Sequence, residues 1–184
     1  MNIIVVPFCS DGYYCRPDIT LEKESKDYYM PDAVTDLSAA PVVFIKIIKA
    51  GKAVGEKFAE RYYDSFGAGV LLYADNIINS ETPTSFSEAS CLDSSSYLPF
   101  NFKPLSELNK FSCKLQINGT DAVDMSVDDS IIPYINEFIS LISSRTSLRI
   151  GDIIAFETFD RVPLKKGDSV KVLSGQFDFS FEVR

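Results

Sequence analysis

The chain has no histidine and no tryptophan. Without histidine it lacks the side chain most used as general base and metal ligand near neutral pH. Ser-His-Asp and Cys-His catalysis are excluded outright. Any chemistry falls to carboxylates, lysine, tyrosine or cysteine. Cysteine is scarce: Cys9, Cys15, Cys91 and Cys113, with no Cys-x-x-Cys pair. These read as reduced, partly buried thiols. No apolar run approaches the roughly 20 residues that a membrane-crossing helix needs. The opening Met1-Asn2-Ile3-Ile4-Val5-Val6 is too short, and lacks the basic residues, for a secretion signal. The expectation is a cytoplasmic protein with no membrane partner. Positive charge is the minority sign, 18 Lys and Arg against 26 Asp and Glu, a net charge of −8. That balance argues against nucleic acid and anionic membranes.

What is present suits one globular domain over residues 1–184, with 46% hydrophobic and 24% charged residues. Residues 2–6 read as a strand. Tyr13 to Asp18 is aromatic and turn-like, and Pro17 excludes a central strand position. Leu21 to Lys26 reads as charged surface, and Tyr28 to Asp32 as a short aromatic edge. Pro41 to Ile48 is the most apolar strand candidate. Ala50-Gly51-Lys52 turns the chain so that Ala53-Val54 pairs back on it. Phe58, Ala59, Tyr62, Tyr63 and Phe66 recur at the helical period, with Gly67 at the expected C-cap. After the Gly67-Ala68-Gly69 break, Val70 to Ala74 reads as a buried strand.

Residues 76–109 carry no sustained period and read as a long surface excursion, mobile at Ser94-Ser95-Ser96. Phe111, Cys113, Leu115 and Ile117 alternate into an Asn118-Gly119 hairpin turn, with Val123 and Met125 on the return. Asn118-Gly119-Thr120 is read as that turn and not as a glycosylation site. Asp129 or Ser130 caps a second helix over 130–142, and Asp128-Asp129 suits its positive end. Its stripe is Ile131, Ile132, Ile135, Phe138, Ile139 and Ile142. Two Gly-Asp turns, Gly151-Asp152 and Gly167-Asp168, lead into strands at 153–156 and 170–173. Phe177, Phe179, Phe181 and Val183 alternate with polar residues as a last strand. Strands outnumber helices in irregular order. The predicted class is α+β, a curled mixed sheet with two main helices.

Few side chains here suggest chemistry unaided. The pairs Tyr13-Tyr14, Tyr28-Tyr29 and Tyr62-Tyr63 suit either a pocket wall or a core-and-interface arrangement. Lys46, Lys49 and Lys52 suit either an anionic ligand or a guarded strand edge. Cys91 has neither a histidine nor a clear helix start to activate it.

Several stretches together resemble the fumarylacetoacetate hydrolase family. They are Tyr28-Tyr29-Met30-Pro31-Asp32 with Asp36, the segment 55–69, the Asn118-Gly119 turn with Val123, the helix 130–142 followed by Leu148 to Ile154, and Leu164 to Val170. The two Gly-Asp turns after that helix are the most specific of these. The resemblance implies a mixed β-roll, usually dimeric. It also implies hydrolysis, isomerisation or decarboxylation of small β-dicarbonyl or oxo-acid substrates through bound magnesium, manganese or calcium. Such chemistry needs converging carboxylates on one hard cation, which then stabilises an enolate.

Carried over position by position, the implied ligand places fall on Ala40, Val42 and Leu71, and the implied catalytic lysine on Ser90. None can play the part. There is also no room before Arg16-Pro17-Asp18 for the family's lid and its His-Glu pair. The Gly-Thr-Pro loop becomes Glu157-Thr158-Phe159, which keeps only the threonine.

Two readings result. In the first, the chain is a degenerate member with no cofactor, a homodimeric scaffold, regulator or binder of a small organic acid. Ala40, Val42 and Leu71 then help to close the old pocket. In the second, catalysis persists with Mg or Mn at a relocated acidic site drawn from Asp75, Asp93, Glu157 and Thr158. The first is preferred, because a buried cation beside aliphatic side chains is very costly.

Overall fold

The computed structural model describes residues 1–127, 130–175 and 178–184. Thirteen strands fall among them. In chain order these are β1 (Ile3–Val6), β2 (Tyr14–Arg16), β3 (Leu21–Glu22), β4 (Leu37–Lys46), β5 (Ser65–Ala74), β6 (Ser96–Tyr97) and β7 (Lys103–Pro104). Then come β8 (Ser112–Ile117), β9 (Thr120–Ser126), β10 (Ile153–Glu157), β11 (Val162–Leu164), β12 (Ser169–Leu173) and β13 (Phe179–Glu182). Two α-helices accompany them, α1 (Ser85–Ser90) and α2 (Ile131–Arg145). The large sheet runs β2-β1-β10-β4-β5-β6-β3, with β11 on β4 and β7 on β5, and curls into a half-barrel. The small sheet runs β13-β12-β8-β9. The β1–β10 and β3–β6 pairs are parallel and the other strand pairs antiparallel, so the sheet is mixed, as predicted.

The large sheet is buried on both faces. Ile4, Val6, Ala39, Val43, Ile45, Phe66, Val70, Leu72, Ile154 and Phe156 face the main core. There they meet α2 (through Ile135, Phe138, Ile139 and Ile142) and the small sheet. The alternate residues Ile3, Val5, Ala40, Val42, Phe44, Leu71, Tyr73, Ile153 and Ala155 form a second core on the opposite face. Tyr14, Phe86, Phe100 and Phe102 pack against it. Burial on both faces is why residues 41–45 read as an unbroken apolar run and not as an alternation.

Pro41 lies inside β4, between paired neighbours, where proline would ordinarily be excluded. Its carbonyl accepts from the Thr158 N–H at 3.0 Å. In an antiparallel strand, one residue's N–H and C=O point to the same edge. The missing proline N–H therefore falls at the gap between β10, which ends opposite Val42, and β11, which begins opposite Ala39. The loop Thr158–Arg161 bulges out of that gap.

Several expectations fail here. Residues 56–61 form a 3-10 helix, and Gly67 is not a cap: β5 starts at Ser65 and runs straight through Gly67-Ala68-Gly69. Two glycines occur because neighbours press on the strand. A Cβ on Gly67 would lie 2.5 Å from the Phe44 ring, and one on Gly69 would lie 2.4 Å from the Tyr97 carbonyl oxygen. The 76–109 segment is no mere surface excursion. It supplies α1, β6 and β7, and Ser95, Ser96, Tyr97 and Leu98 are fully buried. Ala53-Val54 does not return onto β4; both N–H groups donate to Ser143 of α2. Tyr28 is buried and bridges to Val183. Asp128-Asp129 and Phe177 lie outside the described residues. The Asn118-Gly119 hairpin stands as predicted, with φ of 52° and 78° at its two central residues, the twist a tight hairpin needs.

Candidate functional site

β2 pairs with β1 so that Tyr14 lies opposite Val5 and Arg16 opposite Ile3. Cross-strand partners share a face, so both side chains enter the second core. Arg16 is 1% exposed, a full cation in an apolar cluster. Among the described residues its hydrogen bonds go to neutral oxygens. Nε donates to the Tyr14 hydroxyl at 3.1 Å, and one terminal nitrogen donates to Ser95 Oγ at 3.3 Å and Ser96 Oγ at 3.4 Å. The other donates to the Leu72 carbonyl at 3.1 Å. The guanidinium also lies 4.3 Å from the Tyr73 ring centroid. A planar fork with several donors suits this scatter of acceptors better than an ammonium would.

The hydrogen bonds continue outward. Tyr14 and Tyr73 share a bond between their hydroxyls, and Tyr73 donates to Glu157 Oε1. An ionised carboxylate only accepts, so the Tyr73 O–H donates to Glu157, the Tyr14 O–H donates to Tyr73, and the Arg16 Nε–H donates to Tyr14. Glu157 Oε2 accepts from the Phe8 N–H at 3.2 Å. A buried cation is thus linked through two phenols to one anchored carboxylate. Burial pushes the Tyr14 phenol above its ordinary value, and pushes Tyr73 well above it. For Arg16, burial pulls down, but the two phenol oxygens outweigh it and the net direction is up. The phenols stay neutral and the guanidinium stays charged at neutral pH.

The positions carried over for metal ligands lie together beside this relay. Ala40 is the direct pair partner of Leu71, and Val42 that of Gly69. Ala40, Val42 and Leu71 each have zero exposure in the second core. Ser96, whose Oγ holds Arg16, is paired with Leu71 across β5 and β6. A wall of three aliphatic side chains offers no donor atom, and a buried guanidinium beside it opposes a second positive charge. These residues do not fit a divalent cation.

Of the relocated candidates, Glu157 and Thr158 line one pocket of about 540 Å³, which Asp75 and Asp93 do not line. Asp75 is held by Arg161 at 2.7 Å. Glu157 is bound as described, and Thr158 donates both its N–H and its hydroxyl to Pro41 O, each at 3.0 Å. Asp93 is exposed on the turn after α1, where its charge acts on the Tyr28 phenol. Ser90 is buried within α1. Glu157 and Arg161 share a small pocket of about 180 Å³ with Tyr73 and Phe86. Among the described residues, no three of His, Cys, Asp and Glu are placed to hold a metal ion.

Arg16 and Tyr73 were not singled out from the sequence, and Tyr14 was singled out only as half of the Tyr13-Tyr14 pair. The available signal was the two-residue spacing of Tyr14 and Arg16 around Cys15, a strand with one face turned inward. The adjacent Pro17 masked it.

No protein-family model and no curated protein sequence matches the chain. Solved structures do. Fumarylpyruvate hydrolase from Pseudomonas aeruginosa, solved with Mn2+ and pyruvate, superposes with a TM-score of 0.84 at 16% identity, over 100% of this chain and 89% of that one. The 2-hydroxyhepta-2,4-diene-1,7-dioate isomerase of Mycobacterium marinum gives 0.84 at 15% identity, over 99% and 73%. A Yersinia pestis protein described as of the fumarylacetoacetate hydrolase family gives 0.80 at 17% identity, over 100% and 92%. Helices long and apolar enough to cross a membrane are absent among the described residues. The chain has the fold shared by proteins of the fumarylacetoacetate hydrolase family.

Proposed function

We propose that this chain is a fumarylacetoacetate hydrolase-family protein in which an apolar wall has replaced the metal-binding one. It acts as a non-catalytic homodimeric scaffold or regulator that binds a small organic acid, in the cytoplasm. The observation that carries this reading is the zero exposure of Ala40, Val42 and Leu71 beside the buried guanidinium of Arg16. A hard divalent cation needs several oxygens placed together, and its charge in a dry interior needs compensation. This wall supplies neither. Arg16 instead furnishes a fixed positive charge, held by neutral oxygens.

The test is a thermal-shift titration of EDTA-treated protein with magnesium, manganese and calcium. The expected outcome is no saturable rise in Tm, while pyruvate or oxaloacetate raises Tm without metal and without turnover. A saturable rise with manganese, together with turnover of an acylpyruvate, would overturn the reading. The site would then move to the pocket of Glu157 and Arg161. Light scattering at twice the chain's mass checks the homodimer.

A further inference from the structure

Positive charge is scarce on this chain, yet part of it is gathered at one place away from the Arg16 relay. Lys49, Lys52 and Arg61 stand around a pocket of about 250 Å³ that also takes in Gly55, Phe58 and Tyr62. The pocket is lined by no aspartate or glutamate among the described residues. The two acids of the same segment turn elsewhere. Glu60 accepts from Asn136 of α2 at 3.2 Å, and Glu56 lines a neighbouring hollow with Pro133. The ion pairs among the described residues use Lys26, Lys103, Lys114, Arg161 and Arg184, none of them from this pocket.

The pocket is also held in shape. Lys49 Nζ lies 5.4 Å from the Tyr62 ring centroid and the Arg61 guanidinium 4.9 Å from that of Phe58, both within cation–π range. The Tyr62 ring rests on Gly51, where a Cβ would lie 2.4 Å from it. The loop beneath is tied to α2 by Ala53 N–H to Ser143 O at 2.8 Å and Val54 N–H to Ser143 Oγ at 2.9 Å. Ala53 holds a φ of 50°, a left-handed conformation that those bonds maintain. The backbone under the pocket is thus ordered before any ligand arrives.

We propose that this pocket binds the dianion of a small organic phosphate monoester. Three cationic residues lining one hollow suit a doubly charged group better than a single carboxylate, and arginine pairs with phosphate in a fork. The rings and Val54 take the organic part. The volume suits a small molecule.

Isothermal titration at low ionic strength with phenyl phosphate, inorganic phosphate and benzoate tests this. Phenyl phosphate saturates one site, at least threefold more tightly than inorganic phosphate and tenfold more tightly than benzoate. Lys52→Gln and Arg61→Gln each weaken it at least fivefold with an unchanged circular dichroism spectrum. Lys165→Gln, on a distant turn, leaves it unaltered. Absence of a saturable site, or affinity untouched by Lys52→Gln and Arg61→Gln, would overturn the site. Equal affinity for phenyl phosphate and inorganic phosphate would overturn its assignment to an organic phosphate. None of these outcomes bears on the metal reading of the Arg16 wall.

Discussion

The guanidinium of Arg16 lies over the Tyr73 ring, 4.3 Å from its centroid, while the hydroxyl of the same tyrosine donates to Glu157. One side chain thus meets a cation with its face and an anion with its edge. The ring's negative face and positive rim favour this arrangement. It places one aromatic side chain between the two charges.

Replacing Arg16 by methionine leaves the Leu72 carbonyl and the hydroxyls of Ser95, Ser96 and Tyr14 short of a donor inside an apolar cluster. The expected loss is about 3 kcal/mol in urea unfolding. Arg16→Lys recovers only part of it, because an ammonium cannot span the same acceptors. Wild-type stability in Arg16→Met would show that the relay is not structural.

Leu71→Ala opens a cavity in the second core, opposite Ala40. The expected destabilisation is about 3 kcal/mol. A change under about 0.5 kcal/mol, the range of neutral surface substitutions, would mean that the wall is not packed as described.

Gly69→Ala forces a methyl group to 2.4 Å from the Tyr97 carbonyl oxygen, a backbone atom that cannot swing aside. About 2 kcal/mol or more of stability should be lost. Gly12→Ala, whose Cβ would lie 3.7 Å from Ser10 Oγ, should be nearly neutral. Equal effects at the two positions would contradict the β5–β6 approach.

Alkaline pH should unfold the protein through its buried phenols and thiol. Burial pushes Tyr28 up to about 12 and Cys113 up to about 12, and also raises Tyr63, Tyr73 and Tyr97. The folded state then keeps protons that the unfolded state gives up, so stability falls as pH rises. The contribution is intact below the ordinary values of 9.0 for the thiol and 10.0 for the phenols, and is lost as pH climbs toward the raised ones. Urea midpoints at pH 8, 9.5 and 11, alongside phenolate absorbance, measure this. A midpoint flat across that series would contradict the burial of these groups.

Local chemistry was legible wherever a short stretch decides its own geometry. The Asn118-Gly119 turn, the stripe of α2 and the alternation ending in Phe179, Phe181 and Val183 needed no partner to be read. The class, α+β with a mixed sheet, follows from their order. The apolar residues at 40, 42 and 71 were visible too, because an aliphatic side chain offers no donor in any fold. What the chain alone could not decide was pairing. Gly67 and Gly69 looked like a helix stop because the rings and carbonyl that demand glycine there come from Phe44 and Tyr97. Ser95 and Ser96 looked like surface because the buried cation that uses their hydroxyls is 79 and 80 residues away in sequence. Tyr14, Arg16, Tyr73 and Glu157 meet only because β1, β2, β5 and β10 share one sheet. A polar residue's surroundings are set by long-range register, and a local pattern carries no record of it.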